Sequence, residues 1–178
     1  MDSINRNQSE RQRADLLGTE AVEKMKELID DAKSCFFCTA DVSGHAGDSR
    51  PMSVQEVDEQ GNIWFLSAAD SHKNQALETD ATVKLYFQGS AHSDFLELNG
   101  VANVSRDKSR IKELWKPVHR TWFTEGENDP RITVIKVTPS DGYYWDTKHG
   151  PVVSGIKMLM GAATGKTLDD SVEGKLQV

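Results

Sequence analysis

The feature that most constrains this chain is a succession of short strand-like runs separated by turn signals. Residues 81–87 alternate most cleanly, with Val83, Leu85 and Phe87 on one predicted face. Parallel neighbours would each need a crossover of about a dozen residues or more, and most of the intervening stretches are simple turns. The spacing therefore favours antiparallel pairing in a small α+β barrel or sandwich.

These runs predict about six strands, flanked by helices. The strands are expected at residues 36–42, 49–57, 63–67, 81–87, 95–102 and 132–137, with the turn 139–142 separating the last of them from Tyr143, Tyr144 and Trp145.

The clearest predicted helix begins at Thr19, a suitable N-cap, and ends near Lys33. Its apolar stripe at helical spacing consists of Val22, Met25, Leu28 and Ile29. A short helix is expected over residues 70–79. A third helix, capped by Ser105 or Asp107, carries Ile111, Leu114 and Trp115.

The formal net charge of −7 gives the chain no electrostatic reason to bind nucleic acid or an anionic membrane. Residues 1–12 are polar and lack the apolar segment of a secretory signal, which predicts a cytoplasmic protein. We divide the chain into a polar N-terminal tail (1–15), one domain (16–165) and a polar C-terminal tail (166–178).

Cys35 and Cys38 have the C-x-x-C spacing of a redox-active pair. They lie in a predicted strand, however, where residues three apart point to opposite faces. We therefore expect that the two thiols do not bridge. Two cysteines are also too few for a zinc site, which takes about four ligands, and no metal site is predicted.

Three segments, taken in order, resemble a known family. Residues 49–54 are Ser-Arg-Pro-Met-Ser-Val, residues 63–74 are Ile-Trp-Phe-Leu-Ser-Ala-Ala-Asp-Ser-His-Lys-Asn, and residues 137–145 are Val-Thr-Pro-Ser-Asp-Gly-Tyr-Tyr-Trp. Their order and spacing resemble the flavin-binding split barrels related to pyridoxamine-phosphate oxidase, especially the general-stress-protein branch. The resemblance covers residues 16–165 and implies a mostly antiparallel, six-stranded split β-barrel.

The resemblance also implies that the chain binds FMN or FAD at the interface of a homodimer. A flavin phosphate favours cations together with hydroxyl or backbone donors at a helix start, and a guanidinium can bind phosphate through two donors. By resemblance, Trp145 closes over the flavin of the partner subunit. The expected cofactor-binding residues are Arg50, Pro51, Met52, Ser53, Trp64, Phe65, Leu66, Ser67, Ser71, His72, Lys73 and Trp145.

Each of these residues also has an ordinary structural interpretation. Lys73 can belong to a solvated helix start, Arg50 can pair with Asp48, and Trp64 and Trp145 can be core aromatics. Only their combination favours a flavin.

The chain departs from true pyridoxamine-phosphate oxidases after Trp145, where those enzymes carry the Arg and His residues that hold the substrate. It also has His72 where the oxidases usually have Arg. Oxidation of vitamin B6 is therefore not expected, and no catalytic acid or base is identified. Two main hypotheses remain: a flavin-dependent oxidoreductase, and a flavin-binding or flavin-buffering stress protein without turnover. A third, weaker alternative is a split barrel that binds another planar cofactor, such as a deazaflavin or haem.

Two further segments carry weaker signals. Residues 161–167 resemble a phosphate loop but have three residues between the glycines, where the motif needs four, so a flexible polar tail is expected there. Residues 121–126 with Trp115 are expected to pack near the barrel and not to stack on single-stranded nucleic acid.

Overall fold

Nine β-strands form one sheet in the computed structural model, which describes residues 13–40, 49–91, 93–148 and 170–178. The strands are β1 (Leu16–Leu17), β2 (Ser34–Thr39), β3 (Ser49–Ser53), β4 (Glu56–Val57), β5 (Ile63–Ala68), β6 (Thr82–Gln88), β7 (Phe95–Ser105), β8 (Ile132–Thr147) and β9 (Ser171–Gln177). The helices are α1 (Thr19–Ala32), α2 (His72–Thr79) and α3 (Lys108–Leu114), with 3-10 turns at Pro117–Thr121 and Gly126–Asn128. The segment 161–167 and residues 1–12 lie outside the described residues.

The long strand β8 organises the sheet. It pairs with β7 on one edge and shares its other edge between β5 and β9. The full order is β1-β9-β8-β7-β6-β2-β3, and β4 pairs with β5. Every pair is antiparallel except β1 with β9. The predicted α+β class and the mostly antiparallel pairing are confirmed.

The prediction of six strands is wrong, and the sheet does not close into a barrel, because no ladder joins β3 to β5 in the described part of the chain. The predicted strand at 49–57 divides where its backbone changes partner. Val54 N donates to Lys33 O beside β2, whereas Gln55 N donates to Trp64 O of β5. The strand therefore becomes β3 and β4.

The expected turn at 139–142 is also wrong, because β8 runs through it without a break. Pro139 lies opposite Gly100, where the register between β7 and β8 shifts. A bulge of this kind accommodates a proline within a sheet because the local ladder is already interrupted.

Residues 171–177, assigned from the sequence to a polar tail, form β9 along the second half of β8. Gly174 and Leu176 are buried, while Lys175 between them is exposed. A Cβ atom at Gly174 would lie 1.9 Å from the carbonyl oxygen of Ala14. The missing side chain therefore lets the N-terminal segment pass directly over β9.

The helix α1 begins one residue earlier than predicted, because Gly18, at φ 55°, is its N-cap in place of Thr19. Met25, Leu28 and Ile29 are buried as expected, with Ala21 as a fourth buried position. No helix in the described residues is long and apolar enough to span a membrane.

Side chains of β2 and β5 meet in the main core. Phe37 and Phe65 are fully buried and pack edge to face, with ring centroids 5.3 Å apart. A second, smaller cluster lies between α3 and the other face of β5, where Trp64 and Leu66 pack against it.

The two cysteines point to opposite faces of β2, as predicted. Cys35 faces the core and is 5% exposed, and burial raises the pKa of its thiol to about 12. Cys38 is half-buried and its Sγ accepts from Ser49 Oγ at 3.0 Å. Both thiols are free.

Candidate functional site

The first turn of α2 lies against β3 through a buried lysine. Lys73 is 4% exposed, and its Nζ atom is 3.5 Å from Met52 Sδ. Ser71 is the N-cap of α2, and its hydroxyl accepts from Asn74 N at 3.3 Å. Lys73 is therefore the second residue of the helix. The ammonium is thus held at the end of a helix whose first N–H groups have no partner inside the helix.

The charge on Lys73 has no carboxylate near it in the part of the chain that the structure describes. Burial, and then the positive charge of Arg50, lower the pKa of Lys73 to about 8. Both effects disfavour the ammonium form. A buried cation next to a second cation, at a helix N-terminus, is an arrangement that an anion would stabilise.

The predicted residues of β3 divide between the two faces of the sheet. Arg50 and Met52 are half-buried and pair in register with Phe37 and Cys35, which face the core. Directly opposed residues share a face. Arg50 and Met52 therefore lie on the inner face with Lys73.

Pro51 and Ser53 lie on the outer face of β3. They pair with Phe36 and Ser34 and are exposed. The structure does not bring these two residues to Lys73.

The predicted residues of β5 also have different environments. Phe65 is fully buried in the main core, and Ser67 is 4% exposed on the same inner face. Leu66 and Trp64 belong to the outer cluster beneath α3. Of these four residues, Ser67 is hydrogen-bonded to Ser71 and Asn74 at the start of α2.

Trp64 is held on the outer side by polar contacts. Its indole N–H donates to Asp58 Oδ2 at 2.9 Å, and the guanidinium carbon of Arg110 lies 4.1 Å from its ring centroid. Arg110 is itself paired with Glu56 and Glu113. This set joins α3 to β4 and β5.

His72 is exposed in the first turn of α2, while Ser71 is half-buried at its cap. Trp145 lies on β8, beyond the part of that strand that pairs with β5. It is 40% exposed, its ring centroid is 4.7 Å from that of Tyr143, and its strand neighbours Tyr144 and Asp146 are buried. Trp145 is therefore on the outer face of the sheet, opposite to Arg50 and Lys73.

Two residues at the site were missed from the sequence. Asn74 and Thr133 are each 3% exposed, and Asn74 Nδ2 donates to Thr133 Oγ1 at 2.8 Å. A signal for Asn74 is its place three residues after the N-cap Ser71, a position whose side chain often reaches back to the cap. Nothing local marks Thr133, which lies 59 residues from Asn74.

The sequence model of the family described as pyridoxamine 5'-phosphate oxidase like matches residues 20–169. No curated protein matches the chain in sequence.

Several solved structures have a similar fold. A candidate general stress protein 26 from Jannaschia sp. CCS1 is 21% identical, with a TM-score of 0.71, over 90% of this chain and 100% of that chain. The general stress FMN/FAD binding protein from Xanthomonas citri is 21% identical, with a TM-score of 0.60, over 70% of this chain and 87% of that chain. General stress protein 26 from Bacillus anthracis str. Sterne is 20% identical, with a TM-score of 0.59, over 69% of this chain and 92% of that chain. At identities of 20% and 21%, this similarity establishes a shared fold and nothing further.

Proposed function

The chain belongs to the pyridoxamine 5'-phosphate oxidase-like family, and we propose that it binds a flavin, FMN or FAD, whose phosphate lies at the first turn of α2. The observation that carries this proposal is the buried ammonium of Lys73, which no carboxylate of the described residues offsets. The FMN/FAD-binding protein of Xanthomonas citri shares the fold.

The residues present fit a flavin phosphate. Lys73 and Arg50 supply positive charge, and Ser71 with the first N–H groups of α2 supplies neutral donors. Charge-assisted hydrogen bonds to phosphate oxygens are stronger than neutral ones. A phosphate at this position would also reduce the electrostatic penalty of a buried lysine beside a half-buried arginine. Met52, beside Lys73 Nζ, offers a polarisable apolar contact for the rest of the ligand.

We propose that the chain is a general stress protein that catalyses a flavin-dependent oxidoreduction. A bound flavin supplies electron-transfer chemistry, and the protein holds and orients it. A second candidate is a flavin-binding or flavin-buffering stress protein without turnover. It is favoured by the chemistry of the described site, where Lys73 of α2 has Arg50 of β3 as its charged neighbour and the two cations form no acid–base pair.

We further propose a homodimer with the flavin at its interface. The outer face carries a row of directly opposed residues across five strands, in the order Pro51, Phe36, Tyr86, Glu97 and Tyr143. Phe36, Tyr86 and Trp145 are 57%, 42% and 40% exposed in the single chain. Exposed apolar side chains gathered on one face are typical of protein interfaces. We propose that Trp145, which lies on this face and not on the face of Lys73, contacts a partner's flavin.

The test of flavin binding is retention of FMN after desalting, followed by the visible absorption of the flavin. Wild-type protein and a Lys112→Ala control, which alters an exposed lysine of α3, should retain the colour. Lys73→Ala should lose it. A wild-type protein that retains neither FMN nor FAD would contradict the proposal.

Anaerobic titration of the flavin-loaded protein with NADH and NADPH then separates the two candidate functions. Loss of the oxidised flavin absorption at a catalytically useful rate supports the oxidoreductase. Persistence of the oxidised spectrum with these and other common electron donors supports the non-catalytic flavin protein.

A further inference from the structure

Three buried polar side chains form a closed hydrogen-bonded set behind the first turn of α2. Ser67, Asn74 and Thr133 are 4%, 3% and 3% exposed. Ser67 Oγ donates to Asn74 Oδ1 at 2.9 Å, and Asn74 Nδ2 donates to Thr133 Oγ1 at 2.8 Å. Thr133 Oγ1 then donates to the carbonyl oxygen of Ser67 at 3.0 Å. We call these residues the Asn74 network.

The Asn74 network joins β5 and the helix that follows it, α2, to β8, which lies 59 residues beyond Asn74 and 66 beyond Ser67. Ser67 on β5 and Thr133 on β8 are directly opposed in the antiparallel ladder, so their relative position is set by the sheet. Asn74 on α2 bonds to both. Two short hydrogen bonds to adjacent strands therefore restrict the movement of the start of α2 relative to the sheet.

The same asparagine also organises the N-cap of α2. Its backbone N–H donates to Ser71 Oγ at 3.3 Å, and its Oδ1 accepts from Ser71 Oγ at 3.3 Å. Lys73 precedes it and extends the other way, to Met52 on β3. The first turn is thus fixed to β5 and β8 by Asn74, while Lys73 reaches across to β3.

A polar network is a demanding way to hold a helix in a core. Its groups lose their hydration, and each must find a partner of good geometry, whereas apolar side chains would tolerate small shifts. The gain is a single orientation. Here the network fixes the orientation of Ser71 and Lys73, the residues that would contact an anion at the start of α2.

We propose that Asn74 is a positioning residue, which acts through Ser67 and Thr133 to hold Ser71 and Lys73 toward one anion position at the start of α2. The identity of the anion as a flavin phosphate rests on the proposed function. The placement of the first turn does not, and it can be measured without any ligand.

Thr133→Val tests the proposal because it removes one hydroxyl and preserves the shape of the side chain. Asn74 Nδ2 then loses its acceptor, and the first turn loses one of its two attachments. Binding of FMN should weaken by about tenfold, the effect of one lost buried hydrogen bond. Binding of riboflavin, which lacks the phosphate, should change little. Thr138→Val is the matched control, since Thr138 lies on the same strand and bonds with an exposed hydroxyl to Asn62.

The ligand-free readout is the titration of Lys73, followed by NMR of isotope-labelled lysine side chains. If the first turn loosens in Thr133→Val, the ammonium gains access to water, and its pKa rises from about 8 toward the ordinary lysine value. Thr138→Val should titrate as the wild type does. If Thr133→Val fails to fold, Ser67→Ala removes the other attachment and replaces it in both measurements.

The proposal is overturned if Thr133→Val leaves the titration of Lys73 unchanged and weakens FMN and riboflavin equally, or neither, since a merely structural role predicts that result. A wild-type protein that binds no flavin contradicts the proposed function alone. In that case the titration of Lys73 still decides whether Asn74 positions the first turn.

Discussion

Lys73 Nζ lies 3.5 Å from Met52 Sδ and joins the first turn of α2 to β3, 21 residues earlier in the chain. An ammonium ion gains little from a thioether, which is a weak acceptor. The contact therefore leaves most of the cost of burying Lys73 unrelieved in the ligand-free protein. This unrelieved cost should affect both the stability of the protein and its affinity for an anionic ligand, and both can be measured.

We predict that Lys73→Met stabilises the ligand-free protein by roughly 2 kcal/mol at pH 7, because it removes a buried charge and keeps the side-chain volume. The measurement is urea unfolding at equilibrium. Lys112→Met, at an exposed position of α3, is the control and should change stability by less than about 0.5 kcal/mol. A strongly destabilised Lys73→Met would mean that Lys73 is satisfied without a ligand.

The stability of the ligand-free wild type should also depend on pH through Lys73. Its pKa is lowered in the fold from 10.5 to about 8. Between these values the unfolded chain binds more protons than the folded one, so stability rises as pH increases from about 8 toward 10.5. The difference in unfolding free energy between the wild type and Lys73→Met isolates this contribution. It should shrink over that range.

Binding of FMN should have the opposite pH dependence. A phosphate dianion favours the ammonium form of Lys73, so the complex takes up a proton when the lysine is neutral. Affinity should therefore be highest below the Lys73 pKa of about 8 and fall as pH rises above it. Fluorescence titration with FMN and with riboflavin at several pH values tests this. An identical pH profile for both ligands would exclude the phosphate as the partner of Lys73.

The two thiols should differ sharply in reactivity. Burial raises the pKa of Cys35 to about 12, so at pH 8 its thiolate is roughly one part in ten thousand. Cys38 is half-buried. A chromogenic disulfide reagent should label at most one thiol rapidly in the native protein and both after unfolding. Formation of a Cys35–Cys38 disulfide in the native protein would contradict the structure.

Gly174→Ala should destabilise the protein by about 1–3 kcal/mol, the usual cost of overpacking. Its new methyl group would collide with the carbonyl oxygen of Ala14, at 1.9 Å. Urea unfolding measures the loss, and proteolysis at the N-terminal segment should become faster. Lys175→Ala, one residue away and exposed, should leave both measurements nearly unchanged.

The outer sheet face should control assembly. Phe36→Glu places a charge at a side chain that is 57% exposed, in the middle of the proposed interface. Val118→Glu places the same charge at a side chain that is 60% exposed on the 3-10 turn Pro117–Thr121. Sedimentation should show a dimer for the wild type and for Val118→Glu, and a monomer for Phe36→Glu. A monomeric wild type would refute the homodimer.

Local patterns were enough to predict the elements whose structure depends on contacts between residues close together in the chain. The apolar stripe of α1 and the alternation of Val83, Leu85 and Phe87 on β6 both appear as buried faces in the fold. The cap of α3 at Asp107 was among the predicted ones, since its side chain accepts from two N–H groups of the first turn. In each case the deciding contacts lie within one turn or one strand, so the sequence contains them directly.

The spacing of strands and turns predicted the α+β class, and three segments that resemble a known family predicted the family. Neither signal predicted the pairing of distant strands. β8 continues through Pro139 because β7 shifts register there. β9 forms from a polar segment because β8 offers it a free edge and Gly174 admits the N-terminal segment. A partner strand cannot be recognised from either sequence alone.

By itself, the sequence determined the α1 and β6 faces, the opposite orientation of Cys35 and Cys38, and a lysine at a helix start. Only the tertiary structure decided that Lys73 is buried beside Arg50 and Met52, that Trp64 and Trp145 lie on other faces, and that Asn74 meets Thr133. The physical reason is that hydrophobic periodicity and capping act over a few residues. Burial, charge neighbours and buried hydrogen bonds at the site instead depend on segments up to 66 residues apart.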